Sequence, residues 1–155
     1  MLTVGNKAPE FSLYNSDKTL VSLTDYKGKN LTILFFPLAF TSVCTAELCS
    51  VRDDIAFYQG IGSDVVAISV DSPQTLAKFK QDQQLNFPLL SDFNKEASTA
   101  YDCLYEVFSV GLKGVSKRSA FVVDKDGILR YVEVLEKASD MPNLEAVKKI
   151  VEGLR

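Results

Sequence analysis

A chain of 155 residues with 46% hydrophobic and 24% charged side chains can bury about 70% of its unfolded surface in one core, without disulfide or metal staples. Its net charge of −3 and lack of any basic block argue against a phosphate-backbone partner, and no run approaches the ~20 apolar residues of a membrane span. Histidine is absent, which excludes Cys-His proteolysis and every histidine-bearing metal site.

The opening MLTVGNKAPEF lacks the basic start and apolar core of a secretory signal, so the expectation is a cytoplasmic protein. Residues 11–23 alternate apolar and polar side chains around Asn15-Ser16-Asp17, predicting a short hairpin over one end of the core. Residues 31–36, 65–70 and 120–123 are continuous apolar, β-rich runs, the pattern of strands covered on both faces. Residues 128–134 read as a further strand, reached through a Lys125-Asp126-Gly127 turn.

Between the first two core strands, Leu48, Val51, Ile55 and Phe57 or Tyr58 recur at helical spacing. They predict one helix over 45–58 and a right-handed crossover between parallel strands. Asp71-Ser72-Pro73 predicts a second helix, capped by Asp or Ser with Pro in its first turn, running to about Leu85. A third is expected over 95–101 and a fourth from near Pro142 to Gly153. The periodicity shows neither repeat nor linker, so residues 1–155 are expected to form a single α/β domain: a central mixed sheet, helices on both faces and an N-terminal hairpin.

The three cysteines, Cys44, Cys49 and Cys103, are an odd set that reads as reactive or buried thiols and not as a disulfide framework. Cys44 follows the first core strand and a tight loop, at the first turn of the next helix. There the unpaired N–H groups and the positive end of the helix dipole favour a thiolate, the nucleophilic form of sulfur. Thr41 lies on the same loop with a hydroxyl able to donate to the sulfur or to a bound oxygen, and Pro37 can wall the pocket without a competing N–H. Displacement on a peroxide builds negative charge on the departing oxygen, so a cation should stand nearby. Without histidine, Arg118, directly before SAFVVD, is the best candidate. Glu47, one turn after Cys44, could hold Arg118 in a bidentate pair or serve only as a first-turn acid at the helix dipole.

The run Pro37-Leu38-Ala39-Phe40-Thr41-Ser42-Val43-Cys44 resembles the P-x-x-x-T-x-x-C motif of the peroxiredoxins, the alkyl hydroperoxide reductase and thiol-specific antioxidant family. Further similarities span most of the chain: Val4-Gly5 with Ala8-Pro9 and Phe11, then Ser69-Val70-Asp71-Ser72, Phe87-Pro88-Leu89-Leu90-Ser91-Asp92, and Arg118 before Phe121-Val122-Val123-Asp124. The resemblance implies a thioredoxin-like fold and reduction of hydroperoxides, with Cys44 as peroxidatic residue, Thr41 and Arg118 contacting the peroxide, and Pro37 shaping the site. It implies a thioredoxin-like or other thiol reductant and a homodimer, and no cofactor or metal.

Attack on a peroxide leaves Cys44 as a sulfenic acid, which condenses readily with a second thiol. Cys49 stands at the offset at which the peroxiredoxin Q, or bacterioferritin-comigratory, branch carries its resolving cysteine. In an intact helix, positions i and i+5 point about 140° apart with Cα atoms beyond the ~7 Å that a disulfide spans, so the first turns must unwind. Val43-Cys44-Thr45-Ala46-Glu47-Leu48 also resembles the one-cysteine branch, in which an external thiol resolves. Cys103 matches no family motif and reads as a small buried hydrophobe or an interface thiol. The resolver thus stands open between Cys49, Cys103 and an outside thiol. Two other functions are weighed: a thioredoxin-like disulfide oxidoreductase, which lacks its C-x-x-C spacing, and a non-catalytic redox-sensing or cysteine-metal module, short of a tetrahedral ligand set.

Overall fold

The structure is a computed structural model, which describes residues 2–155. Its strands are β1 (Ser12–Asn15), β2 (Leu20–Ser22), β3 (Asn30–Phe35), β4 (Ser63–Ser69), β5 (Leu89–Ser91), β6 (Ser119–Val123) and β7 (Leu129–Val134). They form one sheet in the order β2-β1-β5-β4-β3-β6-β7. The β3, β4 and β5 strands run parallel to one another, whereas the β1–β2, β1–β5, β3–β6 and β6–β7 pairs are antiparallel. The expected mixed sheet is therefore present. Between β3 and β4 lie α1 (Ser42–Asp53) and α2 (Ile55–Gly60), followed by α3 (Pro73–Gln83), α4 (Glu96–Ala100) and α5 (Leu144–Gly153).

Every residue of β3 and β6 is buried, because side chains alternate between the two faces of a strand and both faces are covered. Leu34, Phe36, Ala67, Leu89 and Val122 pack with Cys44, Leu48, Val51, Leu76, Phe79, Val147 and Val151 of α1, α3 and α5. Leu31, Ile33, Phe35, Ile68, Leu90 and Phe121 point the other way, into a layer with Phe11, Leu13, Tyr101 and Cys103. No helix among the described residues is long and apolar enough to cross a membrane.

The expected hairpin is β1–β2, where Asn15 Oδ1 accepts from the backbone N–H groups of Asp17 and Thr19, each at 2.9 Å. Ser72 caps α3 by accepting from the Thr75 N–H at 3.1 Å, with Pro73 at the first helical position. Two expectations need correction. The single helix expected over 45–58 starts at Ser42 and breaks at Asp54 (φ −104, ψ 6). The apolar period carries across that break, so the sequence pattern hides it, and Asp54 is paired with Lys148 of α5 at 2.6 Å. The strand β5 is an addition to those expected. Three residues cannot display a period, and β5 exists through its pairing with β4 and β1.

Candidate active site

The site begins where β3 ends. Phe36 donates its backbone N–H to Ile68 O at 3.0 Å, and buried Pro37 then turns the chain off the sheet. Asp71, just beyond β4, secures the loop: its Oδ2 accepts from the Ala39 N–H at 2.8 Å and from Ser69 Oγ at 2.6 Å. Phe40 adopts a left-handed backbone conformation (φ 67), costing about 1–3 kcal/mol for a residue with a side chain. Its ring, 51% exposed, meets Phe79 of α3 edge-on with centroids 5.1 Å apart. The loop then enters α1 through Thr41, whose carbonyl accepts from the N–H and the hydroxyl of Thr45 at 2.9 and 2.8 Å.

Cys44 is the third residue of α1, as the helix-start argument requires, and its side chain has no solvent exposure. Arg118 Nη2 donates to Cys44 Sγ at 3.2 Å. The guanidinium, itself 1% exposed, is held on its other edges. Nη1 donates to Glu47 Oε1 at 2.7 Å, and Nε and Nη2 donate to the Ala138 carbonyl at 3.2 and 3.0 Å. The cation therefore has a fixed plane and aims one N–H at the sulfur.

Glu47 pairs with Arg118 through one oxygen, not in the bidentate arrangement expected. Its Oε2 is buried with no hydrogen-bond partner among the described residues. Burial pushes the Glu47 carboxyl up to about 7, against the lowering effect of Arg118 and with a small further push from Glu133. Burial also opposes the charge on Arg118, but Cys44 and Glu47 outweigh it and hold the guanidinium above its ordinary value.

The structure thus brings Cys44, Glu47 and Arg118 into contact, with Pro37 and Thr41 on the adjoining loop. The Thr41 hydroxyl donates to Leu38 O at 2.8 Å instead of to Cys44. Cys49 lies further along α1, half-buried, its Sγ donating to Gln83 Oε1 at 3.5 Å. The helix is continuous through both cysteines, which holds their side chains apart. Cys103 belongs to the apolar layer on the far side of the sheet from Cys44. Burial raises its thiol to about 12, with Ser119 opposing through a hydrogen bond.

Two contributors escaped the sequence reading. The Ala138 carbonyl is a backbone group in a loop without a motif. Asp71 was legible only as part of a helix start, although its place among the residues shared with the peroxiredoxins was a signal.

The AhpC/TSA family matches residues 4–132. Alkyl hydroperoxide reductase E of Mycobacterium bovis is 40% identical over 135 residues, covering 86% of each chain. Peroxiredoxin Bcp of Escherichia coli is 35% identical over 133 residues, 84% of this chain and 85% of its own. The crystal structure of a peroxiredoxin-like protein from Aquifex aeolicus superposes with a TM-score of 0.90 at 27% identity, over 99% of this chain and 88% of that one. With a thioredoxin-like sheet and a thiol–guanidinium contact at the end of its first core strand, the chain belongs to the AhpC/TSA family and is a peroxiredoxin, a thiol-dependent peroxidase.

Proposed function

We propose that this chain reduces hydrogen peroxide and organic hydroperoxides through the thiolate of Cys44. The observation that carries the assignment is the Arg118 Nη2 donor 3.2 Å from Cys44 Sγ. Sulfur attacks one peroxide oxygen and the O–O bond breaks. The departing oxygen takes a proton and leaves as water or an alcohol, and Cys44 becomes a sulfenic acid. Arg118 stabilises the charge that moves onto oxygen, and Glu47 is its positioning residue. Pro37 walls the loop, and Thr41, once its hydroxyl turns from Leu38, faces the incoming peroxide. Because Cys44 is fully buried, the loop around Phe40 and Thr41 must open to admit substrate. The same burial disfavours direct exchange with a bulky protein disulfide.

In this reading Cys49 resolves the sulfenic acid within the chain, and a thioredoxin-like or other thiol then reduces the disulfide. The sheet between Cys103 and Cys44 argues against that role for Cys103. One domain, a homodimer and a cytoplasmic setting complete the proposal. The last is supported by the three free cysteines, and the dimer, suggested by the family resemblance, is testable by sedimentation. The deciding measurement is peroxide consumption with a thiol reductant, in wild type and Cys44→Ser. Activity is expected to vanish in the variant, and its survival would overturn the assignment.

A further inference from the structure

The two halves of α1 are held in different ways. The Cys44 half makes backbone bonds and meets Arg118 through Cys44 and Glu47. The Cys49 half is tied to the end of α3. Cys49 Sγ donates to Gln83 Oε1 at 3.5 Å, Arg52 Nη1 donates to the Gln83 carbonyl at 2.6 Å, and Asn86 Nδ2 donates to the Arg52 carbonyl at 3.2 Å. Gln83 is the last residue of α3, and Gln84 follows in a left-handed conformation (φ 52). The Gln83 carbonyl is thereby a free acceptor of the helix end, and Arg52 satisfies it. A single residue thus holds the thiol with its side chain and the guanidinium with its backbone. Arg52 lies three positions from Cys49, on the same helical face, and the two interact electrostatically.

Closing a disulfide between Cys44 and Cys49 requires part of α1 to unwind. Oxidation biases which part yields: a sulfenic acid carries no charge for Arg118 to hold, whereas the contacts around Cys49 do not change. We infer that Gln83 and Arg52 form a clasp that keeps Cys49 stationary on α3 while the Cys44 turn unwinds and carries the sulfenic acid to it. This inference rests on Cys49 being the resolving thiol. In the step, the S–S bond forms as the Cys44 S–O bond breaks. The hydroxyl leaves with the Cys49 proton as water, so the sulfenic sulfur is reduced and the Cys49 sulfur oxidised. Arg52, which also pairs with Asp53 at 2.9 Å, interacts electrostatically with the sulfur that carries negative charge during the attack.

The test is a single turnover of the reduced full-length chain with one equivalent of hydrogen peroxide. Wild type, Arg52→Met, Arg52→Lys and Gln83→Leu are quenched with an alkylating agent and mapped by mass spectrometry. Loss of the Cys44 thiol is expected to keep the wild-type rate. Appearance of the Cys44–Cys49 disulfide should slow about tenfold in Arg52→Met, the scale of one lost charged hydrogen bond, and about threefold in Gln83→Leu, which removes only the neutral thiol–amide contact and leaves the carbonyl that Arg52 uses. Arg52→Lys should recover part of the rate, and under excess peroxide the two slow variants should accumulate Cys44 sulfinic acid. Disulfide formation at the wild-type rate in both Arg52→Met and Gln83→Leu would overturn the clasp alone. A wild type that forms no Cys44–Cys49 disulfide would overturn the assignment of Cys49 beneath it.

Discussion

Glu47 presents one oxygen to Arg118 at 2.7 Å and buries the other without a hydrogen-bond partner among the described residues. A buried ion pair with an orphaned acceptor is a poor source of stability, since desolvation of both charges offsets their attraction. Its effect is geometric. With Nη1 anchored on Glu47 and the Ala138 carbonyl behind, Nη2 points at Cys44.

Arg118→Met is expected to lower kcat/KM for peroxide by about 10²–10³, the usual cost of removing one positioned donor from a transition state. It should also destabilise the fold by about 1–3 kcal/mol, because the buried Glu47 carboxyl loses its Arg118 donor and is held protonated without that partner. The double variant Arg118→Met, Glu47→Gln should regain stability in urea melts while remaining slow. Recovery of rate along with stability would show that Arg118 serves the fold alone.

The raised Glu47 carboxyl gives stability a pH dependence of known sign. The folded chain keeps a proton up to about 7 that an ordinary glutamate releases near 4.5. The contribution is therefore fully present below 4.5 and lost as pH rises through about 7. The loss is on the order of 3 kcal/mol from the difference between those values. Urea melts across that window should show wild type weakening with rising pH and Glu47→Gln lacking that part of the slope.

Asp71 ties Ala39, and with it the loop bearing Phe40 and Thr41, to the end of β4. Asp71→Ala leaves the Ala39 N–H without its acceptor and should cost about 1–3 kcal/mol. It should also allow Cys44 to react faster with a bulky alkylating agent while peroxide turnover falls. Asp71→Asn, which keeps an acceptor oxygen, should lie between Asp71→Ala and wild type in both measurements.

Cys103 sits without solvent exposure against Tyr101 and Phe121, with its thiol pushed up to about 12 by burial. It should resist alkylation in the folded chain and react only on unfolding. Cys103→Ala should keep peroxide turnover within about twofold of wild type, since the cost of a buried truncation falls on stability. Its own stability contribution is present below 9 and is lost as pH rises towards about 12.

Features set by short stretches of chain were legible without the structure. Alternation and continuous apolar runs marked β3, β4, β6 and β7, and Ser72-Pro73 marked the start of α3. Pro37, Thr41 and Cys44 marked a loop entering a helix, because residue type and spacing act there within a few positions. The break of the first helix at Asp54 was hidden, since Ile55 and Tyr58 continue the apolar face while the partner of Asp54, Lys148, comes from α5.

The sequence by itself determined the candidate nucleophile, its helix start, the candidate cation and the family. Only the tertiary structure decided that Arg118 reaches Cys44, 74 positions away. Antiparallel pairing of β3 with β6 sets Phe35 opposite Ser119, which carries Arg118 to the strand end where the Cys44 loop begins. Only the tertiary structure, too, tied Cys49 to Gln83 of α3 and set Cys103 behind the sheet. Strand register and helix docking are fixed by contacts between distant segments, and local periodicity carries no information about which partner those segments meet.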